Sequence, residues 1–353
     1  MAGIVPDAPP SNLRLKLDGD ALAHNWRTLD AMSGQAQTGA AVKADAYGTG
    51  VNFAVPVLHG EGCRHFFVAH WGEAAGVMAH VPAEQVYVLH GPTSAAEADY
   101  ARQAGTMPVI NSVPQAKLWA GAGGGPCALM LDSGMNRLGI AAADVSDPVI
   151  ASLDVRVFMS HLASADENGT QSADQREIYE RTLGHFPGAV HSLANSAGIA
   201  LGPDYNYGLT RPGLSLYGGI ARPEHAGKIR QVVHPQAQVL QVRHIAAGER
   251  VGYNGEFTAS TAMTVATVCI GYADGFLRSW AGAGYLHHAG KRLQLLGKVS
   301  MDMVVVDISS APGITAGDWL DVPYHLPTAS RVTGLSQYEL LTLLGNRFDR
   351  HSA

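Results

Sequence analysis

The chain has 353 residues, of which 46% are hydrophobic and only 15% are charged. Soluble domains average about 25% charged residues, so we expect part of the surface to be buried in an oligomer. The 24 basic and 30 acidic residues give a net charge of -6, and no run of Lys or Arg exceeds a pair such as Lys291-Arg292. This balance argues against nucleic acid and membrane partners.

The length fits a barrel and a smaller domain. Cys63, Cys127 and Cys269 are far apart and form no paired motif, which predicts reduced thiols in a cytoplasmic protein. Residues 1–12 contain no apolar run of signal-sequence length, and no stretch reaches the length of a membrane span. Metal-ligand spacings such as HExxH are absent from the sequence, so no metal is predicted.

Residues 13–235 alternate short apolar runs with helical patterns, which is typical of strand–helix units around a parallel sheet. One helix, starting at 172–175, fits a capping box. Such units predict an α/β fold with an N-terminal (β/α)8 TIM-type barrel, and a doubly wound open sheet is the alternative. The predicted strands are 40–43, 65–69, 85–89, 107–111, 127–132, 155–161, 190–195 and 207–211.

Residues 236–353 are predicted to form a β-rich C-terminal domain with one late helix near 338–344. Its runs 239–245, 263–270, 292–308 and 318–322 are rich in Val, Ile and Leu and are separated by glycine turns. In segment 12–17, Leu13, Leu15 and Leu17 alternate with polar residues. This alternation predicts a strand that pairs with the second domain from the amino terminus.

Polar side chains follow the apolar runs at the ends where barrel enzymes carry their chemistry. Lys43 closes the first run, and its amine at a strand end is either solvated or reserved for a Schiff base. An amine, amides beside glycine, small polar groups and a guanidinium together suit pyridoxal 5'-phosphate. The candidates are Lys43, Tyr47, the segment 132–137, Ser160, His161, the segment 194–198, Arg211, Gly213 and Leu214.

At these positions the chain resembles alanine racemases, collinearly from about Leu13 to the C-terminal region. The motifs that carry the resemblance are AVKADAYG at 41–48, DSGMNRLG at 132–139, HLASADE at 161–167, NS at 195–196, VGY at 251–253, IGYADG at 270–275 and GKVSMD at 297–302. The resemblance implies a fold type III isomerase that uses pyridoxal phosphate to interconvert L- and D-alanine for cell-wall precursor synthesis.

The resemblance also implies the site residues. Lys43 would hold the cofactor and act as a base on one face of the substrate, and Tyr253 would act on the other from the second subunit of a head-to-tail homodimer. His161 and Arg211 are the candidates to favour the Tyr253 phenolate. The implied cofactor contacts are Arg211 at the pyridine nitrogen, Tyr47, Ser196, Gly213 and Leu214 at the phosphate, and His161 and Asn195. The implied substrate contacts are Arg137 and the Met301 backbone at the carboxylate, and Tyr272 at the entrance.

Three positions depart from the family pattern. Met130 stands where many relatives have a lysine that orients the carboxylate-binding arginine, so Arg137 needs another partner, such as an ion, water or carboxylate. Ser352 stands where relatives have a phosphate-contacting tyrosine, and Ser300 replaces a common cysteine. The alternatives are a racemase that prefers serine or a larger amino acid, a non-catalytic pyridoxal phosphate carrier, and a decarboxylase. A decarboxylase would place glutamate where this chain has Arg211.

Overall fold

The computed structural model describes residues 9–352, so most of the amino-terminal segment considered above, and Ala353, lie outside it. The chain forms two compact units. One contains residues 19–230, and the other combines residues 9–18 with residues 231–352.

The first unit is built on parallel strands whose order in the sheet is their order in the chain. An eighth strand, Leu209–Thr210, pairs in parallel with Gln37–Thr38, directly before the first strand. Gly208 N also donates to His191 O (3.0 Å) and Arg211 N to Ala194 O (2.8 Å), which joins the eighth strand to the seventh. These bonds close the sheet, so the predicted barrel is confirmed. The first seven strands are Ala40–Ala41, Phe66–Val68, Val86–Val88, Met107–Ile110, Pro126–Met130, Asp154–Met159 and Val190–Ser192.

Helices connect the strands. The capping box predicted at residues 172–175 is not formed in the structure. Helix Gln171–Glu180 begins one residue earlier than expected, and its cap Thr170 makes no side-chain capping bond. Ser172 is buried in the first turn, while Gln175 donates to His161 O (2.9 Å) and accepts from Ala163 N (2.8 Å). The side-chain amide of Gln175, which a capping box would use, therefore binds other parts of the chain instead. The helices of this unit are Gly19–Ser33, Lys43–Tyr47, Val51–Gly60, Trp71–Met78, Ala95–Ala104, Val113–Gly121, Pro148–Ala151, Gln171–Glu180 and Ser196–Ala200.

Alternate strand residues fill the core of the barrel with apolar side chains, each of which stabilises the fold by about 1.5–3 kcal/mol when fully buried. Met130 belongs to this core and is 7% exposed. Its buried neighbours in the cluster are Phe67, Tyr87, Met107, Val109, Ala128, Val157, Met159 and Leu209.

The second unit is mainly antiparallel β structure, as predicted. The long strand Val233–Ile245 pairs with Met263–Val268 on one side and with Trp319–Asp321 on the other, which closes the sheet on itself. Leu13–Leu17 adds to Val233–Ile245 and pairs in parallel with Asp349–Ser352. The other strands are Arg250–Val251, Phe257–Thr258, Tyr285–His288, Lys291–Leu296 and Val304–Asp307, and the α-helices are Leu326–Thr333 and Gln337–Thr342.

The predicted β run over 292–308 forms two strands, with a loop between them. The strands Lys291–Leu296 and Val304–Asp307 are separated by residues 297–303, and Gly297 opens the loop with φ +69°, a conformation that favours glycine. Met301 therefore lies in a loop.

All three cysteines are free, and Cys63 and Cys127 are buried. Over residues 9–352, no helix has both the length and the apolar character needed to span a membrane.

Candidate active site

Lys43 lies just beyond the first barrel strand and opens a left-handed turn. The next four residues, 44–47, have φ between +51° and +56° although none is glycine. Each such residue costs about 1–2 kcal/mol, and strain of this kind is characteristic of functional sites. Gly48 N donates to Ala44 O (2.9 Å) and Val51 N to Asp45 Oδ1 (2.8 Å), which stabilises the turn.

The amine of Lys43 is shifted towards its neutral form. Burial lowers the pKa of Lys43, the positive charge of Arg137 lowers it further, and Glu73 opposes both effects. A neutral amine is the nucleophile that attacks an aldehyde. The position and electrostatics of Lys43 therefore suit a covalent link to an aldehyde cofactor.

Tyr47, Ser196 and Gly213 form a cradle of polar groups. Tyr47 is 7% exposed, and its ring stacks on Tyr217 with centroids 4.8 Å apart. A Cβ at Gly213 would lie 2.9 Å from Tyr47 Cζ and nearer still to Oη, so a larger residue there would have to displace the tyrosine ring. Ser196 Oγ accepts from Gly213 N (2.9 Å) and Ser215 N (3.2 Å), so its own proton remains available for an anionic ligand.

Two further predicted cofactor residues border this cradle. Asn195 caps helix Ser196–Ala200, and its side-chain oxygen accepts from Gly198 N at 2.9 Å. Leu214 is buried and begins the 3-10 turn Leu214–Tyr217. The cap fixes the position of Ser196 at the start of the helix.

Arg211 is a buried cation without a carboxylate partner among the described residues. Its guanidinium donates to Ser192 Oγ and to Ser160 O. Burial lowers the pKa of Arg211 to about 10, so the group still carries its proton at neutral pH. A fixed donor of this kind can hydrogen-bond to a ring nitrogen and keep its own proton.

His161 lies near the same cations and is neutral. Burial lowers the pKa of His161 to about 3, and the charges of Arg211, Arg137 and Lys43 add to the effect. The structure thus brings Lys43, Arg137 and Arg211 within electrostatic range of His161. A neutral imidazole carries no charge, so any effect of His161 on the Tyr253 phenolate would be through a hydrogen bond.

Arg137 lies on an exposed loop whose backbone is bound by the Asp132 carboxylate. Asp132 Oδ1 accepts from Gly134 N (2.9 Å), Met135 N (2.9 Å) and Asn136 N (3.0 Å). Burial raises the pKa of the Asp132 carboxyl, but these N–H donors outweigh it and the pKa is lowered. Within the described chain no carboxylate forms an ion pair with Arg137. Its guanidinium is available for an anionic ligand.

In the second unit, the segments of Tyr272 and Met301 are joined to each other. Tyr272 N donates to Ser300 O and Ala273 N to Met301 O, both at 3.0 Å. Arg347 links the two segments through Asp274 Oδ1 and Asp302 Oδ1, both at 2.7 Å. Met301 is 52% exposed.

Tyr253 and Ser352 also belong to the second unit. Tyr253 is 68% exposed on a tight turn between Arg250–Val251 and Phe257–Thr258, where Gly252 has φ +72°. Ser352 is exposed at the end of strand Asp349–Ser352, paired with Leu17.

Sequence reasoning did not find several residues that support the site. Glu73, Ser192 and Tyr217 belong to no recognisable motif, and their contacts join segments far apart in the chain. The available signal for Glu73 was its place in the first turn of helix Trp71–Met78, shortly after a barrel strand, where a carboxylate often binds backbone N–H groups.

Comparison with known proteins identifies the family. Residues 17–221 match the family model described as "Alanine racemase, N-terminal domain", and residues 232–352 match "Alanine racemase, C-terminal domain". The chain belongs to the alanine racemase family. Its recognition from sequence motifs is thereby confirmed.

Named relatives and solved structures agree with the family assignment. An alanine racemase of Methylobacterium nodulans is 39% identical, with 96% of this chain and 95% of the relative covered. A biosynthetic alanine racemase of Agrobacterium fabrum is 38% identical, with 96% and 93% covered. The crystal structure of alanine racemase from Bartonella henselae with covalently bound pyridoxal phosphate superposes with a TM-score of 0.90 at 33% identity, covering 98% of this chain and 100% of that one.

Proposed function

We propose that this protein is a pyridoxal phosphate-dependent racemase that interconverts L- and D-alanine, with Lys43 and Tyr253 as its two acid–base groups. The observation that carries the proposal is the amine of Lys43, whose pKa is lowered by burial and by Arg137, in the same barrel as a buried guanidinium and a polar cradle. The names of the relatives, and the cofactor bound in the Bartonella henselae protein, support it.

The donor set of the barrel fits the cofactor. Lys43 would bond to its aldehyde carbon, and Arg211 would donate to its ring nitrogen. Tyr47, Ser196 and the N–H groups near Gly213 and Leu214 would hold its phosphate, with His161 and Asn195 nearby. When bound, the cofactor accepts the electron pair left at the substrate Cα after proton removal.

Arg211 would govern which reaction follows. Because its guanidinium keeps its proton even with a pKa near 10, it would hydrogen-bond to the ring nitrogen without protonating it. An unprotonated ring is a weaker electron sink. The proton at the substrate Cα is then returned readily, which favours racemisation over transamination.

Racemisation removes a proton from one face of the substrate and returns one to the other. Lys43 Nζ would exchange a proton on one face and Tyr253 Oη on the opposite face. Arg137 and the N–H of Met301 would bind the substrate carboxylate, and Tyr272 would limit the size of the side chain. Such contacts would favour a small substrate.

We further propose that Tyr253 acts from the second copy of a homodimer. The 68% exposure of this aromatic side chain and the low charged content of 15% support a surface that becomes covered by another subunit.

The deciding experiment incubates the holoenzyme with L-alanine in deuterated water. A racemase gives D-alanine labelled at Cα, a carrier gives no exchange, and a decarboxylase gives amine and carbon dioxide. Parallel assays with L-serine and L-lysine test the side-chain preference, and a strong preference for lysine would refute alanine as the substrate.

Two variants separate the roles of the proposed acid–base groups. Lys43→Ala should lose the visible absorbance of the bound cofactor, because no amine remains to bond with it. Tyr253→Phe should keep that absorbance and lose most racemisation, because one face lacks its proton carrier. Near-normal turnover by Tyr253→Phe would rule out its proposed role.

A further inference from the structure

We propose that Glu73 is a positioning residue for Lys43: its carboxylate connects the turn that carries the amine to the end of the next barrel strand, and it places a negative charge beside that amine. This inference rests on the proposed function. It concerns a residue that belongs to none of the motifs described above.

The contacts of Glu73 join two loops at the catalytic end of the barrel. Oε1 accepts from Ala44 N, and Oε2 accepts from Ala69 N, both at 2.7 Å. Ala44 directly follows Lys43, and Ala69 directly follows the second barrel strand. The Glu73 side chain is only 16% exposed. Its bond from Ala69 N is partly buried and its bond from Ala44 N is exposed, and the charge of the carboxylate strengthens both.

The bond to Ala44 N fixes the first residue of the left-handed turn. Residues 44–47 all have positive φ without the freedom of glycine, so the turn needs external support. Without an acceptor for Ala44 N, the turn loses a fixed point immediately after Lys43. The direction in which the Lys43 side chain leaves the backbone depends on that point.

The following strand–helix units show why this position requires a carboxylate. Glu97 accepts from Thr93 N (2.6 Å) and Gln115 from Asn111 N (2.8 Å), as Glu73 does from Ala69 N. Gln115 also contacts the preceding strand–helix unit, where its Nε2 donates to His90 O (2.8 Å). In the strand–helix unit that precedes Glu73, the corresponding partner is a donor, Ala44 N, so both oxygens of Glu73 must accept. A glutamine has only one acceptor atom.

The charge of Glu73 also acts on the amine. Burial and Arg137 lower the pKa of Lys43, and Glu73 raises it; His161 is a further titratable neighbour. His70 Nε2 lies 3.9 Å from Glu73 Oε1. Glu73 therefore limits how far burial and Arg137 shift the protonation equilibrium of the Lys43 amine towards its neutral form.

The test follows the reaction of Lys43 with pyridoxal phosphate in the full chain after cofactor removal. The product is trapped with borohydride at a series of pH values, and peptide mass spectrometry measures the labelled fraction. Glu73→Gln keeps one acceptor and removes the charge. We expect half-maximal labelling at lower pH than in the wild type, and cofactor affinity about ten-fold weaker, because a charge-assisted bond is lost.

Glu97→Gln is the matched control, because it removes a carboxylate with the same capping contact in the next unit. It should leave the labelling midpoint and the affinity unchanged. Glu73→Asp keeps the charge but is too short to reach both N–H groups, so its midpoint should stay near that of the wild type while its affinity falls.

An unchanged midpoint in Glu73→Gln, or an equal shift in Glu97→Gln, would overturn the proposal. If Glu73→Gln does not fold, Glu73→Asp decides: weaker cofactor binding supports the bridging role, and wild-type binding refutes it. Racemisation is not a readout here. A chain that traps the cofactor at Lys43 without racemising alanine would contradict the proposed function and leave this test valid.

Discussion

Replacing Gly213 with alanine would disturb the polar cradle at one defined contact. The added Cβ would lie 2.9 Å from Tyr47 Cζ and even closer to Tyr47 Oη. Carbon atoms in a well-packed interior are about 3.5–4.0 Å apart, so the tyrosine ring would have to retreat by at least about 0.5 Å.

The ring has little space for this movement. Tyr47 is 7% exposed and Tyr217 is fully buried, and their rings stack with centroids 4.8 Å apart. Tyr217 is itself held by a 2.9 Å bond from its hydroxyl to Ala41 O. Overpacking at such a site costs about 1–3 kcal/mol. If the same displacement moves Tyr47 Oη away from the cofactor phosphate, affinity should fall by about 5- to 150-fold.

Urea unfolding of the cofactor-free chain and absorbance titration with pyridoxal phosphate measure the two effects. Gly60→Ala is the matched control, because Gly60 ends helix Val51–Gly60 and a Cβ there meets nothing within 4 Å. It should be neutral or slightly stabilising. In the double variant, Tyr47→Phe removes the hydroxyl that meets the new Cβ. Part of the stability cost of Gly213→Ala should then disappear, as a double-mutant cycle would detect.

If Gly213→Ala unfolds at the same urea concentration as the wild type and binds the cofactor equally well, the described packing of Tyr47 against Gly213 is incorrect. A stability cost that persists unchanged in the Tyr47→Phe background would place the strain elsewhere.

Other variants test the electrostatics and the strained turn. Because the pKa of His161 is lowered from 6.5 to about 3, the unfolded chain binds a proton that the folded chain does not, and stability should fall as pH decreases from about 6.5 towards 3. His161→Gln should weaken this dependence in urea unfolding at several pH values, and an unchanged slope would contradict the assignment. Ala44→Gly, at φ +53°, should stabilise the chain by about 0.5–1 kcal/mol. Ala96→Gly, in helix Ala95–Ala104, should destabilise it by about 1 kcal/mol. Equal losses of stability in the melting curves of the two variants would refute the left-handed turn. Arg211→Lys should cost about 1–3 kcal/mol in urea unfolding, because acceptors at Ser192 and Ser160 lose their donor. Arg181→Lys, at a side chain that is 67% exposed, should change stability by less than about 0.5 kcal/mol.

The barrel could be predicted from the sequence because its signal is local. Short apolar runs alternate with helical patterns, and the residues that end those runs must meet at one edge of a parallel sheet. This reasoning predicted a common site for Lys43, His161 and Arg211, and in the structure the charges of Lys43 and Arg211 both act on the His161 ring. The motifs also carry the resemblance to the family.

Local patterns failed where a side chain had several possible partners. The segment 172–175 has the spacing of a capping box, but Gln175 instead binds backbone groups of His161 and Ala163. The run 292–308 has the composition of a strand, yet a loop interrupts it and carries Met301. In both cases contacts made through the fold outweighed the local preference.

Sequence alone determined the types of chemical group at this site: an amine, guanidinium groups, hydroxyls and glycines, placed by the strand–helix periodicity. Tertiary structure decided their state. The neutral His161, the lowered pKa of Lys43 and the protonated buried Arg211 follow from burial and from charges on distant strands. The bond between Glu73 and Ala44, 29 positions apart, exists only when two barrel strands lie side by side. Hydration and charge coupling depend on distances in space, which no local sequence pattern specifies.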